Sequence, residues 1–193
     1  MLSLEERIDL LESDLKAVPM RISVYHDLPF AILHYEPDKE WELRRQVKQL
    51  KIRLEQTGKE IKEISLAALL WQVIKETEGI DAVVDLEQKR GFKVAQEQVT
   101  TYLSDRDWRP LSKVLAEHIW GMNPARHIVF LTRVGAMAPA IYHMSKLLDE
   151  MHGKTMVPLI LFYPGTLEGT TGLRFMDLKD REAIGNYRVK IYG

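Results

Sequence analysis

HIVFLTRVGAMAPAIYHMSKLLDEMHGKTMVPLILFYPG, residues 127–165, is the stretch whose reading decides the fold. It parses as strand, glycine turn, helix, strand. The first apolar run (Ile128, Val129, Phe130, Leu131) does not alternate with polar residues, as expected of a strand covered on both faces, and the run from Val157 to Tyr163 behaves the same way. Between them Ile141, Met144, Leu147, Leu148 and Met151 recur at helical spacing and form a face that can lie on a sheet. Gly135 is expected to permit the sharp exit from the first strand, with Pro139 in the first turn of the helix that follows.

Working outward toward the amino terminus, Ser3 and Glu6 form a capping box, and Leu4, Ile8, Leu11, Leu15 and Val18 continue one apolar face until Pro19. A polar turn holding Asp27 and Pro29 precedes the short apolar run Phe30 to Tyr35, a central strand closed by Glu36, Pro37 and Asp38. Residues 38–57 return to helical spacing, with Trp41, Val47, Leu50 and Leu54 inward, and Gly58 as terminator. Residues 59–66 carry isolated apolar positions among charges and predict a strand at or near a sheet edge. The next helix, 66–78, is apolar over much of its circumference, Trp71 included. Three more helical pieces, near 80–89, 92–103 and 109–120, exceed what one crossover needs, so an insertion at about 80–120 is expected to cap one side of the sheet. Beyond Gly165 a glycine-rich segment leads to Leu173, Arg174 and Phe175 and to a terminal strand, Tyr187 to Tyr192. The order is that of a single α/β domain, 1–193, with a mostly parallel central sheet and flanking helices.

Composition narrows the chemistry. The chain has 193 residues, 46% of them hydrophobic, enough for one domain with a real core. A formal net charge of -1 from interspersed charges offers no global field toward nucleic acid or an acidic membrane. The absence of cysteine removes disulfides, thiolate metal sites and thiol nucleophiles. No secretory leader pattern and no long apolar run is present, so a soluble cytoplasmic protein is expected.

No catalytic or metal-binding set emerges from the motifs. A P-loop needs GxxxxGK[ST] after the first strand, where amide groups and a lysine converge on phosphates; that junction here is HYEPDKEW. The run GTLEGTTG, residues 165–172, has glycines but no following lysine, and reads first as a flexible turn. The six histidines include no pair at helical metal spacing: His143 and His152 stand nine apart, and His26 and His34 merely flank the first strand. GxSxG is absent. Thr132, Arg133 and Gly135 remain as a ligand or partner contact, because loops at the carboxyl ends of parallel strands face the crevice where ligands bind. If the two strands are parallel, the turns at Arg133–Gly135 and at Pro164–Gly165 lie at the same end of the sheet. Basic residues outnumber acidic ones nine to six from Gly121 onward and fall short, eighteen to twenty-two, before it. That asymmetry, with Arg44, Arg45, Lys48 and Lys51, keeps a DNA-facing surface open beside a solvated helix face.

FLTRVGAMAP, the following apolar helix, LILFYPG, LRF and NYRVKIY together resemble the carboxyl-terminal signature of the BrxB family of BREX phage-defence systems, over roughly residues 127–192. Its most specific parts are Phe162-Tyr163-Pro164-Gly165 and Asn186-Tyr187-Arg188. Two departures stand out: Arg133 occupies a position where the family phrase has glycine, and Ala136 one where an acidic residue is usual. The resemblance implies a P-loop-NTPase-like or Rossmann-like scaffold without a Walker A motif. It also implies an accessory component acting with a PglZ-like protein and an AAA-type ATPase beside a DNA methyltransferase, so that any association with DNA is indirect. Neither a catalytic activity nor a cofactor comes with it. Phe162, Tyr163, Tyr187, Arg188 and Tyr192 are of types enriched at binding hot spots, which makes Tyr163, Pro164, Gly165, Tyr187 and Arg188 further expected contacts and leaves self-association open. The alternatives are a nucleotide or phosphate sensor or enzyme using Thr132, Arg133 and the loop 165–172, and a DNA-binding accessory protein.

Overall fold

Alternation along each strand divides the core in two. A computed structural model of the chain describes residues 2–23, 28–139, 141–169, 172–178 and 187–193. Strands β1 (Phe30–Tyr35), β2 (Glu60–Ser65), β3 (His127–Thr132), β4 (Leu159–Glu168) and β6 (Lys190–Tyr192) form a parallel sheet in the order β2-β3-β4-β1-β6, and β5 (Gly172–Phe175) pairs antiparallel with β4. Successive side chains point to opposite faces. Ala31, Leu33, Ile128, Phe130, Ile160 and Phe162 therefore face one layer, while Phe30, Ile32, Val129, Leu131, Leu159 and Leu161 face the other.

The first layer is α1 (Leu4–Lys16) and α2 (Glu40–Glu55). Helix α1 starts as its sequence dictates: the Ser3 hydroxyl accepts from the Glu6 N–H at 3.2 Å, and the Ser3 N–H donates to the Glu6 carboxylate at 2.7 Å. Its buried stripe is Leu4, Ile8, Leu11 and Leu15; that of α2 is Leu43, Val47, Leu50 and Leu54. Trp41 does not join it, contrary to the sequence expectation, and is 76% exposed. It precedes Leu43 by two residues, about 200° around a helix, so the register that buries Leu43 turns Trp41 outward.

On the opposite face lie α3 (Leu66–Glu76), α5 (Phe92–Ser104), α6 (Leu111–His118) and α7 (Met144–Met151). Helix α4 (Ile80–Arg90) packs on α5 but buries none of its own residues. Trp71, expected inside, is half exposed because Leu66, Leu69, Val73 and Ile74 define the inner face of α3. Strand β2 lies at the sheet edge, where its exposed Glu60, Lys62 and Glu63 are stable.

Three local expectations are corrected. Arg133, not Gly135, takes the left-handed conformation at the exit of β3, with φ 60° and ψ 35°. A 3-10 turn, Val134–Met137, follows directly, and α7 begins only at Met144, so Pro139 precedes the helix instead of opening it. Pro164 and Gly165 make no turn: β4 runs through them to Glu168 and folds back on β5. Gly165 has φ 153°, and a Cβ there would stand 2.0 Å from the Arg174 carbonyl oxygen, so the hairpin strands approach as closely as only glycine permits. Asp27, His26, Thr170, Thr171 and Asn186, used in the sequence reading, lie outside the described residues.

A left-handed arginine costs about 1–2 kcal/mol, while glycine adds about 0.5–1 kcal/mol of unfolded-chain entropy. Arg133→Gly should therefore raise the unfolding free energy by roughly 0.5 kcal/mol, and Arg133→Val should lower it; urea denaturation of both variants checks the sign.

Candidate functional site

The crevice at the carboxyl ends of the parallel strands is lined by Tyr35 at the end of β1, Glu40 and Arg44 on α2, Ala67 on α3, Arg133, Gly135 and Ala136 after β3, Pro164 on β4 and Met176 after β5. Its cavity volume is about 370 Å³. Because β3 and β4 are parallel neighbours, the exits at Arg133 and at Pro164–Gly165 do lie at the same end. A second depression of about 440 Å³ shares Glu40, Arg44 and Arg133 and continues between α2 and the β2–β3 edge, past Lys48, Lys51 and Thr132.

A polar chain crosses the crevice floor. The Tyr35 hydroxyl donates to the Glu40 carboxylate, which also accepts from Arg44 Nε at 2.7 Å. The Arg44 guanidinium in turn lies 4.4 Å from the centroid of the exposed Trp41 ring. Burial, followed by the Glu40 carboxylate, pushes the Tyr35 hydroxyl far above the usual tyrosine range, so it is a permanent donor. Arg133 is exposed and has no side-chain partner among the described residues.

Flanking Tyr35 in sequence, at the end of β1, His34 and Glu36 belong to a second, buried network that sequence reasoning did not find. Arg7, 1% exposed, donates from Nη1 to the His34 carbonyl at 2.7 Å and from Nη2 to both Glu36 oxygens at 2.8 and 3.2 Å. His34 Nδ1 lies 3.1 Å from the Gly165 carbonyl oxygen and 3.3 Å from Arg7 Nη1; a proton on Nδ1 satisfies the carbonyl, and the guanidinium is then a like-sign neighbour. Burial first, and then the Arg7 charge, lowers the His34 pKa, so the imidazole is held neutral. Glu36 is raised by burial, but hydrogen bonds from its own backbone and from Arg7 hold it below the usual carboxylate range. One signal was readable: Arg7 interrupts the apolar stripe Leu4, Ile8, Leu11.

The expected contacts divide sharply. Arg133, Gly135 and Pro164 line the crevice together, and Thr132 lines the adjoining depression, its hydroxyl donating to Glu63 at 3.2 Å. Tyr163 and Tyr187 meet, but inside the core, with ring centroids 6.1 Å apart and Tyr163 also against Phe175. Phe162 and Tyr192 are likewise buried, which removes them as surface contacts; Arg188 is exposed and lies outside the crevice lining.

Chemically, the start of α2 is unsuited to phosphate. Glu36, Asp38, Glu40 and Glu42 surround the helix end where a phosphate-binding fold offers amides, and they complement the helix dipole themselves. Among the described residues no group of three or more His, Asp and Glu side chains is arranged to hold a metal ion, and no helix is long and apolar enough to cross a membrane.

These features define an α/β protein with a doubly covered, mostly parallel sheet and an acidic junction at the position where a P-loop fold would carry its phosphate loop. A family model described as BREX protein BrxB matches residues 62–191, and this chain belongs to the BrxB family of BREX systems. The protein of the same description from Bacillus cereus (strain H3081.97) is 27% identical over 160 residues, covering 80% of each chain. No solved structure matches.

The His34 environment sets a pH dependence. With the folded pKa below the ordinary 6.5, the unfolded chain binds a proton before the native one does. The contribution of His34 is thus full above about pH 6.5, starts to be lost below that value, and is lost as pH falls through the lowered folded pKa. Urea midpoints between about pH 8 and about pH 5 should fall on the acid side, and His34→Gln should flatten that slope; an unchanged slope in the variant refutes the assignment.

Proposed function

We propose that this chain is a non-catalytic interaction component of a BREX phage-defence assembly, making contact with a PglZ-like protein and an AAA-type ATPase through the carboxyl edge of its sheet. The observation that carries the reading is the junction after β1: in a BrxB family member with a parallel α/β sheet, carboxylates stand where a nucleotide would need amides and a lysine. Around that junction the surface presents Trp41 with Arg44 stacked on it and the exposed Arg133, residue types that dominate binding energy at interfaces. The chain acts as one cytoplasmic domain, 1–193, with the helices at about 80–120 as an insertion, and any association with DNA passes through its partners.

The test is recovery of a tagged copy from cells carrying the neighbouring defence genes. Wild type should bring down a partner from that operon, and Arg133→Glu with Trp41→Ala should reduce recovery by at least about tenfold. Recovery of no such partner by the wild type removes the reading.

A second reading is a phosphate or nucleotide sensor, supported by the convergence of Arg44 and Arg133 on one crevice. Calorimetry with ATP, GTP and cyclic dinucleotides decides it. The acidic start of α2 predicts no heat of binding, and a saturable signal lost in Arg133→Glu would establish the sensor instead.

A further inference from the structure

A second surface lies on the face of the molecule away from α1 and α2, where α6 and α7 pack side by side. Two depressions, of about 890 and about 620 Å³, adjoin there over shared walls, Lys113, Ala116 and Lys154, and form one continuous groove. Its two halves differ in character.

The apolar half ends on Trp120, which is 88% exposed, beside the half-exposed Met156 and the partly buried Met122. Gly121, with φ 75°, turns the chain away immediately after Trp120 and leaves the indole standing proud of the C-terminus of α6. Single exposed apolar residues are ordinary. A tryptophan and two methionines grouped in one depression are a patch, and tryptophan anchors with adaptable methionine walls are typical of binding surfaces. The other half is charged: Arg106, Lys113, Lys146 and Lys154 line it together with Asp149 and Glu150, and Lys146 is paired with Glu150 at 3.7 Å. Among the described residues Arg106 and Lys113 have no side-chain partner, and Lys154 has only a long side-chain contact, 3.4 Å, to the Ser112 hydroxyl.

The charge pattern also selects the class of partner. Asp149 and Glu150 sit among the cations, and Glu117 beside Trp120, so a phosphate backbone laid along the groove would meet carboxylates at intervals. A polypeptide can place its own carboxylates opposite the lysines alone and an apolar side chain against the indole. We propose that the groove between α6 and α7 docks an acidic segment of a partner protein, with an aliphatic or aromatic side chain anchored against Trp120, Met122 and Met156 and carboxylates on Lys113 and Lys154. This rests on the reading of the chain as an interaction component and adds a second surface with a defined partner chemistry.

Two measurements test it. The purified full chain is titrated with a labelled peptide of about twelve residues, rich in Asp and Glu around a central Leu-Leu pair, a length that spans an ordinary peptide groove. The controls are the same peptide with lysine for the acids, the same peptide with serine for the leucines, and an oligothymidylate of equal length. The acidic apolar peptide should bind alone. Trp120→Ser, and separately Lys113→Glu with Lys154→Glu, should each weaken it by at least about tenfold, whereas Arg133→Glu leaves it unchanged. Each of four results overturns the proposal: no binding of the peptide, binding insensitive to Trp120→Ser, tighter binding of the oligothymidylate, or self-association of the chain that Trp120→Ser abolishes. In cells carrying the defence operon, tagged Trp120→Ser should lose a partner that the wild type recovers. Equal recovery by both overturns the groove and leaves the proposed function standing. Recovery of nothing by the wild type removes the proposed function, and the peptide titration still decides the groove.

Discussion

Strand β1 pairs with β4 on one side and β6 on the other, and every one of its six residues is buried. Parallel strands cannot be joined by tight hairpins; each pair requires a crossover, and the crossovers cover both faces of the sheet. Most of this molecule follows from that constraint. From β1 the chain must cross β4 and β3 to reach β2, and α2 provides the span on the face that α1 completes. From β4 it must pass β1 to reach β6, and it first detours through the β4–β5 hairpin. The switch in direction beside β1 is why segments distant in sequence, Tyr35, Arg133 and Pro164 among them, end around one crevice.

Polar groups at that edge are arranged for rigidity. A buried arginine is costly unless its donors are satisfied, and Arg7 meets the requirement with the His34 carbonyl and both oxygens of Glu36. The network ties α1 to the end of β1 and, through His34 and the Gly165 carbonyl, to the point where β4 leaves the parallel sheet. Next along the chain, Tyr35, Glu40 and Arg44 form a second polar chain, and these three residues line the crevice. Arg133 stands exposed beside them, with no side-chain partner among the described residues.

Much of the fold was legible because its signals are local and redundant. The capping box at Ser3 and Glu6, the unbroken apolar runs of β1, β3 and β4, and the isolated apolar positions of β2 each express one period or one cap, and the structure has all of them. The misreadings fall where local pattern is ambiguous. Tryptophan counts as apolar in any periodicity, yet Trp41 and Trp71 lie off the stripes fixed by Leu43 and Leu69. Phe162, Tyr163, Tyr187 and Tyr192 read as equally good surface anchors or core, and only the packing of the two layers assigned them to the core.

The amino-acid sequence by itself determined most of the helices and strands, the parallel α/β class, the lack of a Walker A motif and the family, since each of these rests on residues adjacent along the chain or spaced by a helical or strand period. Tertiary structure alone decided which strand neighbours which, and therefore that Arg133 and Arg44 line one crevice and that Arg7, His34, Glu36 and Gly165 share one network. It also decided that Trp120 and Met156 border one groove. These contacts join segments separated by up to 131 residues. Their geometry is set by strand order and side-chain packing, which no local period encodes.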